Sequence, residues 1–477
     1  MQQAGSVCVL DVFFQPGATM NSELHLPGRL ARGARLLLPA CFVSSLMFAA
    51  PAWSLPSFAQ QLGVGCAQCH TASFGPALTV FGREFKLNGY TLGGQSSVPL
   101  AAMVNANFTS TKTGVPGGAA QHFGDNNNFA FSEISGFFAG RISKHFGGLA
   151  QVTYSGVDQA TSWDNIDMRF VDTFKVGEAG VLWGLSLNNN PTIQDLWNTT
   201  PGWGFPYTSS DLAPTPAAAP IIDGGIAQQV LGLTAYVEID NWLYLEFGGY
   251  EQLSDPALDN LGFEDPQDLD HVNGFAPYWR IGVQHGFAPH YLGGGIFGMS
   301  TELYPGNDRS EGTNRYTDFG YDATYQFTNG GPHAWTAQLT YIHEDQNLDA
   351  SYKLGEASGN NKTLNETKFN VQYSYDQTYI FSLGLFGVGG SRDALLYAPD
   401  PVDGSENGRP TSQGYIVEGG WVPWGKVTSP HQPWMNARIG LQYTGYTKFN
   451  GSDDNYDGFG RSAGDNDTIY LFLWLAI

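Results

Sequence analysis

Apolar and polar residues alternate with a period of two along most of the chain. Val98, Leu100, Ala102, Val104, Ala106 and Phe108 share one face of an extended segment, and Ala101, Met103, Asn105 and Asn107 share the other. The pattern recurs where Leu231, Leu233, Ala235, Val237 and Ile239 alternate with Gly232, Thr234, Tyr236 and Glu238. It recurs again over Asp318–Phe327 and Lys368–Tyr375. Successive side chains of an extended backbone point to opposite sides, so each run predicts a strand with one apolar and one polar face. Asp240-Asn241 and Asp376-Gln377 read as tight turns between such runs. Short connections are expected near 143–147, 175–179, 240–241, 287–290, 329–332, 376–377 and 428–433. Longer ones are expected near 111–128, 156–161, 189–226, 251–274, 301–313, 345–363, 391–412 and 447–466. Short turns alternating with long loops predict an all-β fold, an antiparallel transmembrane β-barrel of about sixteen strands with turns at one rim and loops at the other. The last residues fit barrel closure: Ile469, Leu471, Leu473, Leu475 and Ile477 form one face, and Tyr470, Phe472 and Trp474 an aromatic one.

Composition agrees with a barrel, although an exported soluble β-protein shares much of it. The 477 residues include 61 Gly, 31 Phe, 23 Tyr and 12 Trp, yet only 14% are charged. Beyond the N-terminus no apolar run approaches the roughly 20 residues of a membrane helix. The formal net charge of −22 argues against nucleic acid and other anionic partners. It favours cations or basic proteins.

The N-terminus adds an address. Arg29, Arg32 and Arg35 precede the apolar stretch Leu36–Ala50, and Ala52-Trp53-Ser54 offers small residues for cleavage. The expected organisation is a targeting segment over 1–54 (Met20 being an alternative start), a short segment over 55–97, and a barrel over 98–477. The expected location is the outer membrane of a Gram-negative cell, in contact with its lipid.

Cysteine spacing changes the picture most. Cys8 and Cys41 fall in the expected targeting segment, which leaves Cys66 and Cys69 in the mature chain. They belong to Cys66-Ala67-Gln68-Cys69-His70. That spacing attaches a c-type haem: two thiols add to the haem vinyls and the adjacent imidazole becomes an axial ligand. The alternative is a Cys66–Cys69 disulfide or a bare redox pair. The expectation is one covalent haem c on Cys66 and Cys69, with His70 as the proximal iron ligand. A segment this short cannot bury a haem by itself, so the barrel lumen is the expected wall. Arg83 and Lys86 are candidate contacts for the haem propionates, or else solvated surface. Met103, on the polar face of the first strand, is the candidate distal ligand, or else fills a gap beside the haem. His145, His290, His333 and His431 compete for that role.

Two of the long loops are acidic. One carries Asp255, Asp259, Glu264, Asp265, Asp268, Asp270 and His271. The other carries Asp453, Asp454, Asn455, Asp457, Gly458, Asp465 and Asp467. Asp453-x-Asn455-x-Asp457-Gly458 opens like a Ca²⁺-binding loop, but Gly464 stands where its closing Glu belongs. The loops read mainly as solvated and cation-attracting, with surface Ca²⁺ the weaker reading.

Pro56-Ser57-Phe58-Ala59, the Cys66–His70 motif, Phe81-Gly82-Arg83 and Phe85-Lys86-Leu87-Asn88-Gly89-Tyr90 together resemble the fused outer-membrane cytochrome–porin family, best known from iron-oxidising outer-membrane cytochromes. The close match covers about 40 residues, and the barrel agrees in length and in Leu473-Trp474-Leu475-Ala476. The resemblance implies one c-haem inside a sixteen-stranded porin. It implies that electrons taken from extracellular Fe²⁺ pass to a periplasmic cytochrome. Cys66, Cys69 and His70 carry over; a distal ligand does not. The reading is therefore an outer-membrane electron conduit. The alternative is a diffusion porin with a haem-bearing plug and no extracellular redox role, and a haem-based peroxide site with an open axial position is a third.

Overall fold

Ladder pairing in the computed structural model joins seventeen strands into one sheet, from β1 (Leu100–Thr111) to β17 (Thr468–Ala476). The structure describes residues 55–94, 99–263 and 269–477. The expected targeting segment with Cys8 and Cys41, the strand start at Val98, and Glu264, Asp265 and Asp268 lie outside the described residues. β8 (His271–Val272) is a two-residue addition against β10 (His290–Tyr304). The other sixteen strands each pair with their neighbours in sequence. β1 pairs antiparallel with β17, Met103 opposite Ala476 and Thr111 opposite Thr468, which closes the sheet into a barrel without an edge.

The alternation holds along most of the strands. On β1, Met103, Asn105 and Asn107 point inward and are only 2–3% exposed, while Phe108 lies outside. β6 (Val230–Ile239) turns Leu231 and Leu233 outward and Thr234 and Tyr236 inward. β14 (Tyr379–Gly390) presents Phe381, Leu383 and Leu385 on the outside. An outer face of this kind, on strands paired with neighbours on both sides, suits a hydrocarbon surround. On β17, Ile469, Leu471 and Leu473 face out, whereas Tyr470, Phe472 and Trp474 are buried inside.

The turns bend where the sequence allows positive φ. Asp240 and Asn241 have φ of 50° and 59°, and Asp376 and Gln377 have 52° and 55°. Asx residues tolerate this region, and the turn matches the twist of the strands it joins. The connection expected at 428–433 is longer. It spans the gap between β15 (Ser412–Trp421) and β16 (Asn436–Lys448).

The largest departure concerns 189–226. Expected as a long loop at the far rim, the connection between β5 (Ala179–Asn188) and β6 instead folds into the barrel. Ile193, Leu196, Trp197, Trp203, Phe205, Tyr207 and Leu212 are all buried. Phe205 and Tyr207 join the same apolar cluster as Phe74, Phe85 and Tyr90 of the N-terminal segment. The lumen thus holds two inserts, residues 55–94 and the inward loop, packed against each other and the wall.

Candidate functional site

The N-terminal insert is built from two short helices around the cysteine motif. Helix α1 (Pro56–Leu62) starts with Pro at its first position and ends at Gly63, whose φ of 66° suits glycine. Cys66–Gln68 forms a single 3₁₀ turn. Its amides from Cys69 and His70 both donate to the Cys66 carbonyl, at 3.1 and 3.0 Å. An i to i+4 closure puts residues 66 and 70 on one side of the turn. Helix α2 (Val80–Leu87) is capped by Thr79, whose hydroxyl accepts from Gly82 N–H at 3.1 Å and donates to the Gln68 carbonyl at 2.6 Å. The Thr79 amide donates to the Cys69 carbonyl at 2.8 Å. One residue therefore ties α2 to the motif.

Gly82 permits that closeness. A Cβ there would sit 2.3 Å from the Cys69 carbonyl oxygen, a backbone atom that cannot step aside. Gly82→Ala is expected to push α2 off the motif, at a cost of about 1–3 kcal/mol. The check is the covalent haem yield of the purified variant, which falls while barrel assembly is retained.

The barrel holds the insert at many points around the motif. Phe74 meets Trp474 edge-on at 4.9 Å between ring centres. Asn436 donates to the Ser73 carbonyl at 2.8 Å, and Gln326 to the Leu78 carbonyl at 2.8 Å. Cys66 donates through its amide and its thiol to Gln432 Oε1, at 3.1 and 3.2 Å. Gln432 belongs to the connection before β16, so the motif lies at the short-turn end of the barrel. Tyr90 packs on Phe58 and Phe85 and donates to Asp167 at 2.6 Å.

Cys66 and Cys69 are thiols, not halves of a disulfide. Burial, together with Cys66, pushes the Cys69 thiol up to about 12. Burial pushes the His70 imidazole down to about 4, the nearby Gly75 backbone opposing this, so the ring is neutral at pH 7, the form that binds metal. His70 Nδ1 is buried without an aligned hydrogen bond.

Other buried polar atoms of this region are orphaned too. They are Ser57 Oγ, Ser73 Oγ, Nε and Nη2 of Arg83, and Nε and Nη1 of Arg438. Such groups are rare in folded proteins because each costs about 1–3 kcal/mol. Arg83 is 3% exposed and makes no ion pair among the described residues. Its Nη1 donates to the Leu78 carbonyl at 2.7 Å and to Gln326 at 2.9 Å, and its guanidinium lies 3.7 Å over the Tyr291 ring. Two thiols, a neutral imidazole and buried N–H donors without acceptors fit an anionic group carrying a metal.

Lys86 departs from its expected role. Its ammonium donates to the carbonyls of Ile193 and Asp195 at 2.6 and 2.5 Å, and to Asn198 Oδ1 at 2.7 Å. All three N–H are used on the inward loop, and none remains for a propionate. Burial pushes this ammonium down to about 7, Arg169 adding to the effect.

The loop is pinned from the wall as well. Arg280 bridges Asp195 at 3.2 Å and Asp322 at 2.8 Å, with all three side chains fully buried. Burial raises the Asp195 carboxyl, but Arg280, Lys86 and the amides of Thr199 and Trp197 outweigh it and hold it below its ordinary range. A carboxyl depressed on folding contributes stability above its unfolded pKa, near 3.9, and loses it as pH falls through the folded value. The loop is therefore expected to stay anchored from neutral pH down to about pH 4. Protease accessibility of residues 189–229 against pH checks this; release at pH 5–6 would contradict it.

Met103 lies inside the same apolar cluster as Phe74, and its sulfur accepts from Trp474 Nε1 at 2.6 Å. Iron ligation would have to replace that bond. His145 bonds the Val171 carbonyl at 2.9 Å, His290 bonds Tyr325 at 2.8 Å and His333 bonds Tyr373 at 2.7 Å. His431 lies tilted against Trp424, 4.6 Å between ring centres and next to Gln432, so of the four its connection is the one bonded to the motif.

The Ca²⁺-like segment uses its oxygens locally. Asp457 Oδ1 accepts from the amides of Phe459 and Arg461 at 2.8 and 3.1 Å, and Asn455 Oδ1 from Gly460 at 2.5 Å. Among the described residues, no group of three or more His, Cys, Asp or Glu side chains is placed to hold a metal ion.

Arg438, Gln432 and the inward loop were not singled out from sequence. The one available signal for Arg438 was its register: with Asn436 it falls on the inward face at the start of β16.

No family model matches the chain, and no curated protein matches it. Among solved structures it is similar to the outer-membrane channel DcaP of Acinetobacter baumannii, at 12% identity over 79% of this chain and 96% of that one, with a TM-score of 0.45. It is also similar to an anion-selective porin from Comamonas acidovorans, at 11% identity over 80% and 98%, with a TM-score of 0.44. OmpT of Vibrio cholerae is similar at 10% identity over 79% and 95%, with a TM-score of 0.40.

Proposed function

We propose that this chain is an outer-membrane barrel holding one covalent haem c. Its activity is then one-electron oxidation of an extracellular donor, Fe²⁺ first, with the electron delivered to a periplasmic cytochrome. The observation that carries this reading is the set of orphaned buried donors around Cys66, Cys69 and His70 inside a filled lumen. A bound haem supplies reversible one-electron chemistry at iron. The chain's own residues do the rest. Cys66 and Cys69 fix the group covalently, and the neutral His70 ring offers the proximal nitrogen. Arg83 supplies unneutralised positive charge beside the motif. Phe74, Phe85, Tyr90 and Trp474 exclude water.

The two inserts favour a conduit over a diffusion pore, because side chains occupy the space that solutes would use. The test mixes oxidised, anaerobic protein with excess Fe²⁺ and follows haem absorbance. Reduction within seconds, lost in His70→Ala, is expected. Reduction by dithionite but not by Fe²⁺ would keep the haem and reject iron as donor.

A further inference from the structure

We propose that Arg438 and the Gly75 loop form a carboxylate-binding site that takes one propionate of the cofactor held at Cys66, Cys69 and His70. This rests on the haem reading above. Arg438 is 1% exposed and points into the lumen from β16. Its Nη2 pairs with Glu418, whose second oxygen accepts from Gln442 at 3.1 Å. A guanidinium has five N–H donors, and those on Nε and Nη1 are buried with no partner. Buried donors in folded proteins are nearly always paired, so two on one guanidinium call for an acceptor.

Of these, Nη1 lies beside the loop that follows the motif, while Nε lies against Gly420 on β15. A Cβ on Gly75 would lie 3.2 Å from Arg438 Nη1, so the backbone five residues past His70 runs directly against the guanidinium. Gly75 has φ +98°, a conformation that other residues rarely adopt. Two residues before Arg438 on the same inward face, Asn436 donates to the Ser73 carbonyl at 2.8 Å. One strand thus clamps the loop through Asn436 and presents charge beside it through Arg438. Glu418 does not exhaust the donors of Arg438: in the same lumen Arg280 serves two carboxylates at once, Asp195 and Asp322. Lys86, by contrast, has spent its three donors, so Arg438 fills the role the sequence gave to Lys86.

The test uses the full-length mature protein with Arg438→Gln, Arg438→Lys and Glu418→Gln. Covalent haem is measured first, by the pyridine haemochrome spectrum. Arg438→Gln is expected to keep the covalent haem, because the thiols are untouched. Its midpoint potential falls and its resonance Raman propionate band shifts. Arg438→Lys recovers part of both changes, and Glu418→Gln moves the potential the opposite way. Haem-loaded Arg438→Gln with an unchanged band and potential overturns the proposal. If that variant does not assemble, an unshifted band in Arg438→Lys overturns it. Wild-type protein without covalent haem would overturn the haem reading itself, a distinct result.

Discussion

A Cys66→Ala/Cys69→Ala double variant loses all covalently bound haem and keeps the barrel. The two thiols contribute little to the fold. Cys66 is buried, and its thiol donates to Gln432 at 3.2 Å. The barrel is held by sixteen closed strand pairings that do not involve the insert. Truncating one small buried side chain costs about 1 kcal/mol, far below the stability of such a ladder. Haem staining of denatured protein reads the covalent bond, and heat-modifiable gel mobility reads the barrel. The variant should lose the first completely and keep the second. Haem persisting on the denatured double variant would contradict the attachment site.

The second large effect is expected at Arg280→Met. Arg280 is fully buried and joins Asp195 of the inward loop to Asp322 on β11 (Asn314–Thr328). Thr199 also donates to Asp322 in the same knot. Removing the cation leaves two buried carboxylates facing each other, and breaking a buried pair from one side costs about 3–5 kcal/mol. That loosens the 189–229 segment at Asp195, although Lys86, Arg169, Gln338 and Gln442 also hold it. Two readouts are expected to change together: the denaturant midpoint falls, and single-channel conductance rises well above that of the parent. Unchanged stability with a closed lumen would mean that the loop is held chiefly by its aromatic packing.

Strand positions and their faces were legible because a barrel repeats one simple constraint, lipid on one side and protein on the other. Met103, Asn105 and Asn107 could be placed inward from spacing alone. The inward loop was not legible. Its Asn, Pro, Gly and Ser content looks like solvated turn, and its purpose lies in long-range partners. Trp197, Trp203, Phe205 and Tyr207 were the available warning, since so many large rings rarely face water. The same blindness explains Lys86. Its partners Ile193, Asp195 and Asn198 lie more than 100 residues away, and spacing cannot tell a spent donor from an available one. Arg438 was missed for the converse reason. It stands 372 residues from Cys66, and only the closed barrel brings its strand to the motif.

The central claim is that electrons, and not solutes, cross this barrel. Its most direct test reconstitutes the protein in vesicles that enclose an oxidised soluble cytochrome, with Fe²⁺ added outside and strongly chelated inside. The account predicts that the enclosed acceptor is reduced with the parent protein, stays oxidised with the Cys66→Ala/Cys69→Ala variant, and that neither protein raises ion conductance. Reduction of the acceptor by both proteins alike, together with measurable conductance, would make the barrel a pore and contradict the account.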